Sequence, residues 1–198
     1  MNSQIKKLLK QARKADTHAV SELLRIYYED IFSYLRRLCG SQADAEDLTQ
    51  QTFLKVWSSL DSFAGRSKFS TWLYRIAYNT YIDSQRKKPS DVRPGADQWW
   101  HECTDSNPGP SQEFAQYQLS QRLYEAVDRL DEDKKHTVHL HYYQGLSLRE
   151  TAKVLGIATS TVKYRLREVL RILRVKIGVE ENELNLKQTI PLAKGERI

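Results

Sequence analysis

The chain has 198 residues, with 31 Lys and Arg against 25 Asp and Glu, for a formal net charge of +6. Its two cysteines, Cys39 and Cys103, exclude a disulfide framework and a four-cysteine metal site, and no run of about 18 apolar residues is present to span a membrane. One sizeable domain or two small ones, a reducing cytoplasmic setting and a polyanionic partner are expected.

Basic and acidic residues are unevenly spread. Residues 1–88 hold 15 basic against 9 acidic side chains, residues 89–116 hold 1 against 5, and residues 117–178 hold 12 against 7. Two basic blocks therefore flank an acidic connector. The start, MNSQIKKLLKQARK, lacks the apolar core and cleavage site of a secretory signal. Its Ile5, Leu8, Leu9 and Ala12 suit one face of a helix. After a break at Asp16–Thr17 a second helical pattern carries Leu23, Leu24, Tyr27, Ile31, Tyr34, Leu35 and Leu38, and Gly40 ends it. Ser41 and Asp44 predict the cap of a third helix, running to about Ser58. A loop follows over 61–69, then a helix over Ser70–Lys87.

Residues 89–112 hold all but one of the five prolines, with Gly95 and Gly109, and have no apolar period. They read as a flexible linker. Helical patterning resumes near Ser111 and continues to about Ile177. The polar stretch 179–198, with Pro191, reads as a loosely held tail. The expected fold is all-α, two small helical domains joined by an acidic linker.

The clearest motif by spacing is GLSLRETAKVLGIATSTVKYRL, from Gly145. Ser147 and Glu150 predict a capping box, Ala152 is small where a second helix would cross, and Gly156 supplies a tight turn. Thr159 or Ser160 is the expected cap of the next helix. Val162, Leu166 and Val169 would face inward, leaving Lys163, Tyr164, Arg167 and Arg171 outward, as in a helix that enters a major groove. The stretch reads as a helix-turn-helix, the alternative being an ordinary helical hairpin with a solvated basic face. On its own it implies DNA binding and nothing narrower.

In the helix over 70–87, Trp72, Leu73, Ile76 and Ala77 form the expected buried side. Arg75, Asn79, Asp83 and Arg86 align on one face, and Tyr74, Tyr78 and Tyr81 form an adjacent stripe. Such aromatic and basic groups can stack on unpaired bases, and the loop 63–69 offers Gly65 for close approach with Ser67 and Lys68 as donors. The same spacing equally suits tyrosines that pack and an Asp83 that pairs with Arg86 or Lys87.

DAEDLTQQTFLKVW, then F-x-G-x-S-x-F-S-TWLYRIAYNT, then the helix-turn-helix, closely resembles in order and content the bacterial RNA polymerase sigma factors of the extracytoplasmic function (ECF) group. The resemblance covers about residues 5–88 and 112–175. It implies a region 2-like domain over 1–88 that binds core RNA polymerase and melts the −10 promoter element. A linker over 89–112 and a region 4-like domain over 113–178, which reads the −35 element, would follow, then the tail.

Carried over by position, Asp44, Asp47 and Gln51, with Leu54 as an apolar anchor, would dock on the polymerase. Phe63, Gly65, Ser67, Lys68, Arg75, Asn79, Asp83 and Arg86 would contact −10 DNA, with Phe63, the loop and Asn79 holding a flipped base. Ser160, Thr161, Lys163, Tyr164, Arg167, Glu168 and Arg171 would contact −35 DNA. Glu168 departs from the family, which usually has Arg there, and a carboxylate can accept from cytosine N4. Linker acids Asp91, Asp97, Glu102 and Asp105 are expected to act in initiation or promoter escape, and Trp99–Trp100 to dock on polymerase. The resemblance also implies an anti-sigma factor, often membrane-tethered, as a further partner.

An enzyme reading lacks a phosphate-binding loop and a nucleophile with its base. No small-molecule substrate, cofactor or metal is expected. His136, His139 and His141 read as packing or surface residues rather than a metal site. A stand-alone DNA-binding regulator accounts for the helix-turn-helix but leaves residues 44–88 without a role. A protein-only adaptor leaves the basic helix face without one.

Overall fold

The computed structural model describes residues 3–14, 16–87 and 122–177. They are helices and turns, without a strand among them, and fall into two compact units, one within 3–87 and one within 122–177. The linker with Trp99–Trp100, its acidic residues and Cys103, and the tail, lie outside the described residues.

The N-terminal unit is built from α1 (Ser3–Ala12), α2 (Thr17–Cys39), α3 (Gln42–Ser59), a 3-10 turn (Leu60–Ser62) and α4 (Phe69–Lys87). Local chemistry sets each boundary. Asp16 Oδ1 accepts from the backbone N–H groups of His18 and Ala19 at 3.0 and 3.1 Å, which satisfies two donors at the start of α2. Gly40 closes α2, its N–H reaching the Arg36 carbonyl at 3.0 Å. Ser41 Oγ then caps α3 by accepting from Asp44 N–H at 3.4 Å.

Helix α2 is central and packs against α1, α3 and α4. Its Leu23, Ile31, Tyr34 and Leu35 are fully buried with Ala45 and Val56 of α3 and Leu73 and Ala77 of α4. Tyr34 meets Tyr74 edge to face at 5.4 Å. Two threonines buried on α3 turn their hydroxyls back along the helix, Thr49 to the Ala45 carbonyl and Thr52 to that of Leu48. Part of the segment read as loop is ordered as the 3-10 turn, and α4 starts at Phe69 because that ring is itself part of the core.

The C-terminal unit comprises α5 over 122–128, α6 (Glu132–Val138), a π-turn (His139–Tyr143), α7 (Leu148–Leu155) and α8 (Thr159–Ile177). The pattern read as continuous helix breaks at Leu130–Asp131, because Asp131 Oδ1 caps a new helix by accepting from Lys134 N–H at 3.0 Å. A side-chain bond from Lys134 to the same carboxylate holds the Asp131 pKa below its ordinary value. The π-turn is marked by Gln144 N–H bonding the His139 carbonyl, five residues back, at 3.0 Å. Leu123, Val127, Val138, Tyr143, Val162, Leu166, Val169 and Leu173 form the core. No helix among the described residues is long and apolar enough to cross a membrane.

Candidate nucleic-acid interface

The helix-turn-helix is assembled from local signals. The Ser147–Glu150 capping box is complete: Ser147 Oγ accepts from Glu150 N–H at 3.3 Å and Glu150 Oε2 accepts from Ser147 N–H at 2.9 Å. Gly156 ends α7 at φ +69°, a left-handed conformation that strains a residue with a Cβ. The next helix differs from the expected capping. The Ala158 carbonyl receives the N–H groups of Thr161 and Val162, so Ala158 is at the N-cap position and Thr159 and Ser160 lie inside the first turn.

Along α8, Val162, Leu166 and Val169 are buried, as their spacing predicts. Ser160, Lys163, Tyr164, Arg167 and Arg171 are exposed, while Thr161 and Glu168 are half-buried. Glu168 Oε2 accepts from Arg171 Nη2 at 3.2 Å. On the opposite side Arg165, which sequence reasoning passed over, bonds the Asp133 carboxylate and ties α8 to the first turn of α6. The outward surface is thus a row of cations with one tyrosine and one carboxylate on a rigid helix, a geometry that fits the major groove of a duplex.

The three histidines are accounted for by packing. His136 and His139 are buried, His139 against the Tyr143 ring at 5.0 Å, and His141 Nδ1 donates to the Leu146 carbonyl at 2.7 Å. Burial, then the charges of Lys135 and Arg165, push the His136 pKa down to about 4. Its Nε2 lies 3.5 Å from Glu132 Oε2, but that carboxylate is exposed and screened, and burial dominates.

In the N-terminal unit the aromatic residues divide differently from their spacing. Phe63, expected to face DNA, is buried: its ring meets Phe69 edge to face at 5.6 Å and Trp72 at 5.2 Å. Tyr74 and Tyr81 are also buried, Tyr81 donating its hydroxyl to the Leu38 carbonyl at 3.3 Å. These three rings serve the core, Tyr74 and Tyr81 because α2 covers the tyrosine side of α4 and Phe63 because it packs on Phe69 and Trp72. Tyr78 is half-buried.

Helix α4 exposes Arg75, Asn79, Asp83 and Arg86 on one face, and Lys87 at its end. Beside them the loop between Phe63 and Phe69 has Gly65 at φ +70° with open space where a Cβ would stand, an exposed Lys68 and a half-buried Ser67. Arg66, exposed between them, adds a cation that the sequence reading left out. Open backbone and cations around a polar helix face can hold an unpaired, phosphate-bearing strand.

On α3, Asp47 and Gln51 are exposed, with Gln51 Nε2 donating to Asp47 Oδ2 at 2.7 Å, and Asp44 is half-buried. Leu54 on the same helix is 71% exposed and Trp57, one turn on, 46%. An acidic-polar row leading to exposed apolar side chains suits a protein partner better than DNA.

A helix-turn-helix unit and a second helical unit with an open basic loop define a DNA-binding transcription protein of two parts. Residues 23–89 match Sigma-70 region 2 and residues 120–173 match Sigma-70 region 4. The chain is 33% identical over 181 residues to the ECF RNA polymerase sigma factor SigW of Bacillus subtilis, covering 86% of this chain and 97% of that one. It is 31% identical over 170 residues to the ECF RNA polymerase sigma-E factor of Escherichia coli, covering 80% and 86%. CnrH, solved in complex with the cytosolic domain of CnrY, is similar in fold, with TM-score 0.65, 22% identity and coverage of 89% and 98%. RpoE of Bartonella quintana, solved with the anti-sigma factor NepR, has TM-score 0.58, 23% identity and coverage of 81% and 97%. The chain belongs to the ECF group of the sigma-70 family: it is a sigma factor, a promoter-specificity subunit of RNA polymerase rather than a catalyst.

Proposed function

We propose a division of labour between the two units. The region over 1–88 binds core polymerase through α3, with Asp44, Asp47, Gln51 and Leu54 as contacts, and captures the opened −10 strand with the 64–68 loop and Arg75, Asn79, Asp83 and Arg86. The region over 113–178 reads the −35 duplex through Ser160, Thr161, Lys163, Tyr164, Arg167, Glu168 and Arg171. Phe63 acts from the core, as the anchor of the loop. The observation that carries this reading is the outward row on α8, where Lys163, Tyr164, Arg167 and Arg171 are all exposed on a helix whose other side is packed.

An anti-sigma factor is the proposed inhibitory partner, holding the protein inactive in the cytoplasm, at the membrane where the inhibitor is tethered. The supporting observation is that CnrH and RpoE were both solved in such pairings or with a cytosolic partner domain.

The test is transcription reconstituted from core polymerase, the full chain and a library of random promoter fragments. Enriched fragments with two separated motifs are expected, and Lys163→Ala with Arg167→Ala should erase the upstream one only. No promoter-specific transcript, with retention of a single duplex motif by the chain alone, would show a stand-alone regulator.

A further inference from the structure

Arg13 lies in the turn that leaves α1, fifty residues from the loop between α3 and α4, yet its side chain meets that loop's first residue twice. Nη2 donates a hydrogen bond to the Phe63 carbonyl, and the guanidinium carbon stands 5.7 Å from the centre of the Phe63 ring. Leu9 and Ala12, buried against α2, fix the backbone from which Arg13 projects. On the loop side the Phe63 N–H is bonded to the Leu60 carbonyl at 3.0 Å, so both backbone polar groups of Phe63 are held. Beyond Phe63 the loop comes to the surface, with Ala64, Gly65 and Arg66 exposed. Arg13 therefore sets where the open part of the loop begins. A planar guanidinium that both donates to a carbonyl and lies by a ring holds direction as well as distance.

We propose that Arg13 is a positioning residue for promoter opening: acting through Phe63, it presents the 64–68 loop to the unpaired −10 strand. It touches no DNA in this role. The inference rests on the reading of that loop as the strand-capturing element, and its effect belongs to opening rather than to duplex recognition. The Phe63 ring stays packed on Phe69 and Trp72 without Arg13, so the helices keep their core while the loop loses its outer restraint.

The experiment uses the full chain with core polymerase on a promoter selected as above, carrying 2-aminopurine in the −10 element as an opening probe. Arg13→Ala is expected to lower the extent of opening about tenfold, the loss of one charge-assisted hydrogen bond, while retention on a −35 duplex stays unchanged and the melting temperature falls by several degrees at most. Arg13→Lys, which can donate to the carbonyl but lacks the fork, should recover part of the opening. Opening equal to the parent in Arg13→Ala would overturn the proposal, as would parallel losses of opening, −35 retention and melting temperature. The chain with Ser67→Ala and Lys68→Ala separates the two readings. If it opens DNA normally, the loop itself is not the capturing element. If it is defective while Arg13→Ala is not, only the role of Arg13 falls.

Discussion

Asp83 on α4 meets Lys55 on α3, carboxylate oxygen to ammonium nitrogen 3.5 Å, so the acid on the proposed strand-facing surface is balanced by a cation from a neighbouring helix. Both side chains are about half exposed to water. Such a pair is worth roughly 0–1 kcal/mol to the fold. Asp83→Asn should therefore change the denaturation midpoint very little. It also removes a negative charge from a face that carries Arg75 and Arg86 while keeping a side-chain oxygen that can accept from a base, so affinity for single-stranded −10 DNA should rise a few-fold at low salt and less at high salt. Chemical denaturation and a salt titration of strand binding check both halves, and a large loss of stability would mean the pair is structural.

Gly65 separates backbone strain from steric blockage. Its φ of +70° penalises a Cβ by about 1 kcal/mol, while the surrounding space is empty. Gly65→Asn, which tolerates the left-handed region, should retain most strand capture, and Gly65→Val should lose most of it, with a loss of thermal stability no larger than the backbone strain itself. Equal capture by both variants would show that the loop's conformation at this residue does not matter to binding.

Glu168 is a test of specificity. It holds Arg171 at 3.2 Å, so its charge acts both on any base it faces and on a neighbouring exposed cation. Glu168→Arg should alter the upstream motif returned by selection. It should also steepen the salt dependence of duplex binding by about one unit of log–log slope for each additional phosphate neutralised. Recovery of the parental motif with the parental slope would assign Glu168 no part in reading DNA.

Acid should weaken the C-terminal unit through His136. In the folded chain this group titrates at about 4 and in the unfolded chain near 6.5, so between those values the unfolded state takes up the extra proton. Stability then falls as pH drops from 6.5 to about 4, by up to about 1.4 kcal/mol per unit, and no further from this group below that. His136→Gln should flatten this dependence in urea titrations at pH 4.5 and 7. Asp131, an acid with a depressed pKa, acts only at lower pH. An unchanged slope in the variant would assign the acid sensitivity to other groups.

Boundaries that depend on neighbours in the chain were legible in the sequence. Gly40, Ser41, the Ser147–Glu150 pair and Gly156 each satisfy or end a helix by contacts within four residues, and residue type suffices to read them. The outward cations of α8 were legible for the same reason, since Val162, Leu166 and Val169 declare the buried side. Tyr74 and Tyr81 were not, because helical spacing puts tyrosines in a stripe without saying which stripe another helix will cover. That answer comes from α2, through Tyr34 and Leu38. Phe63 and Arg13 are hidden further, their contact joining residues fifty positions apart. The π-turn escapes too, since a five-residue hydrogen bond leaves no mark in a 3.6-residue period.

The edge-to-face contact of Phe63 with Phe69 closes the two ends of the 64–68 segment on each other beneath the surface. Between those two closed ends the five intervening positions form one short cassette, with Ala64, Gly65, Arg66 and Lys68 exposed. Under the role proposed for this loop, such a join would let the preference for one downstream promoter element change with little effect on the unit's core, provided the two phenylalanines and the left-handed residue at position 65 are kept.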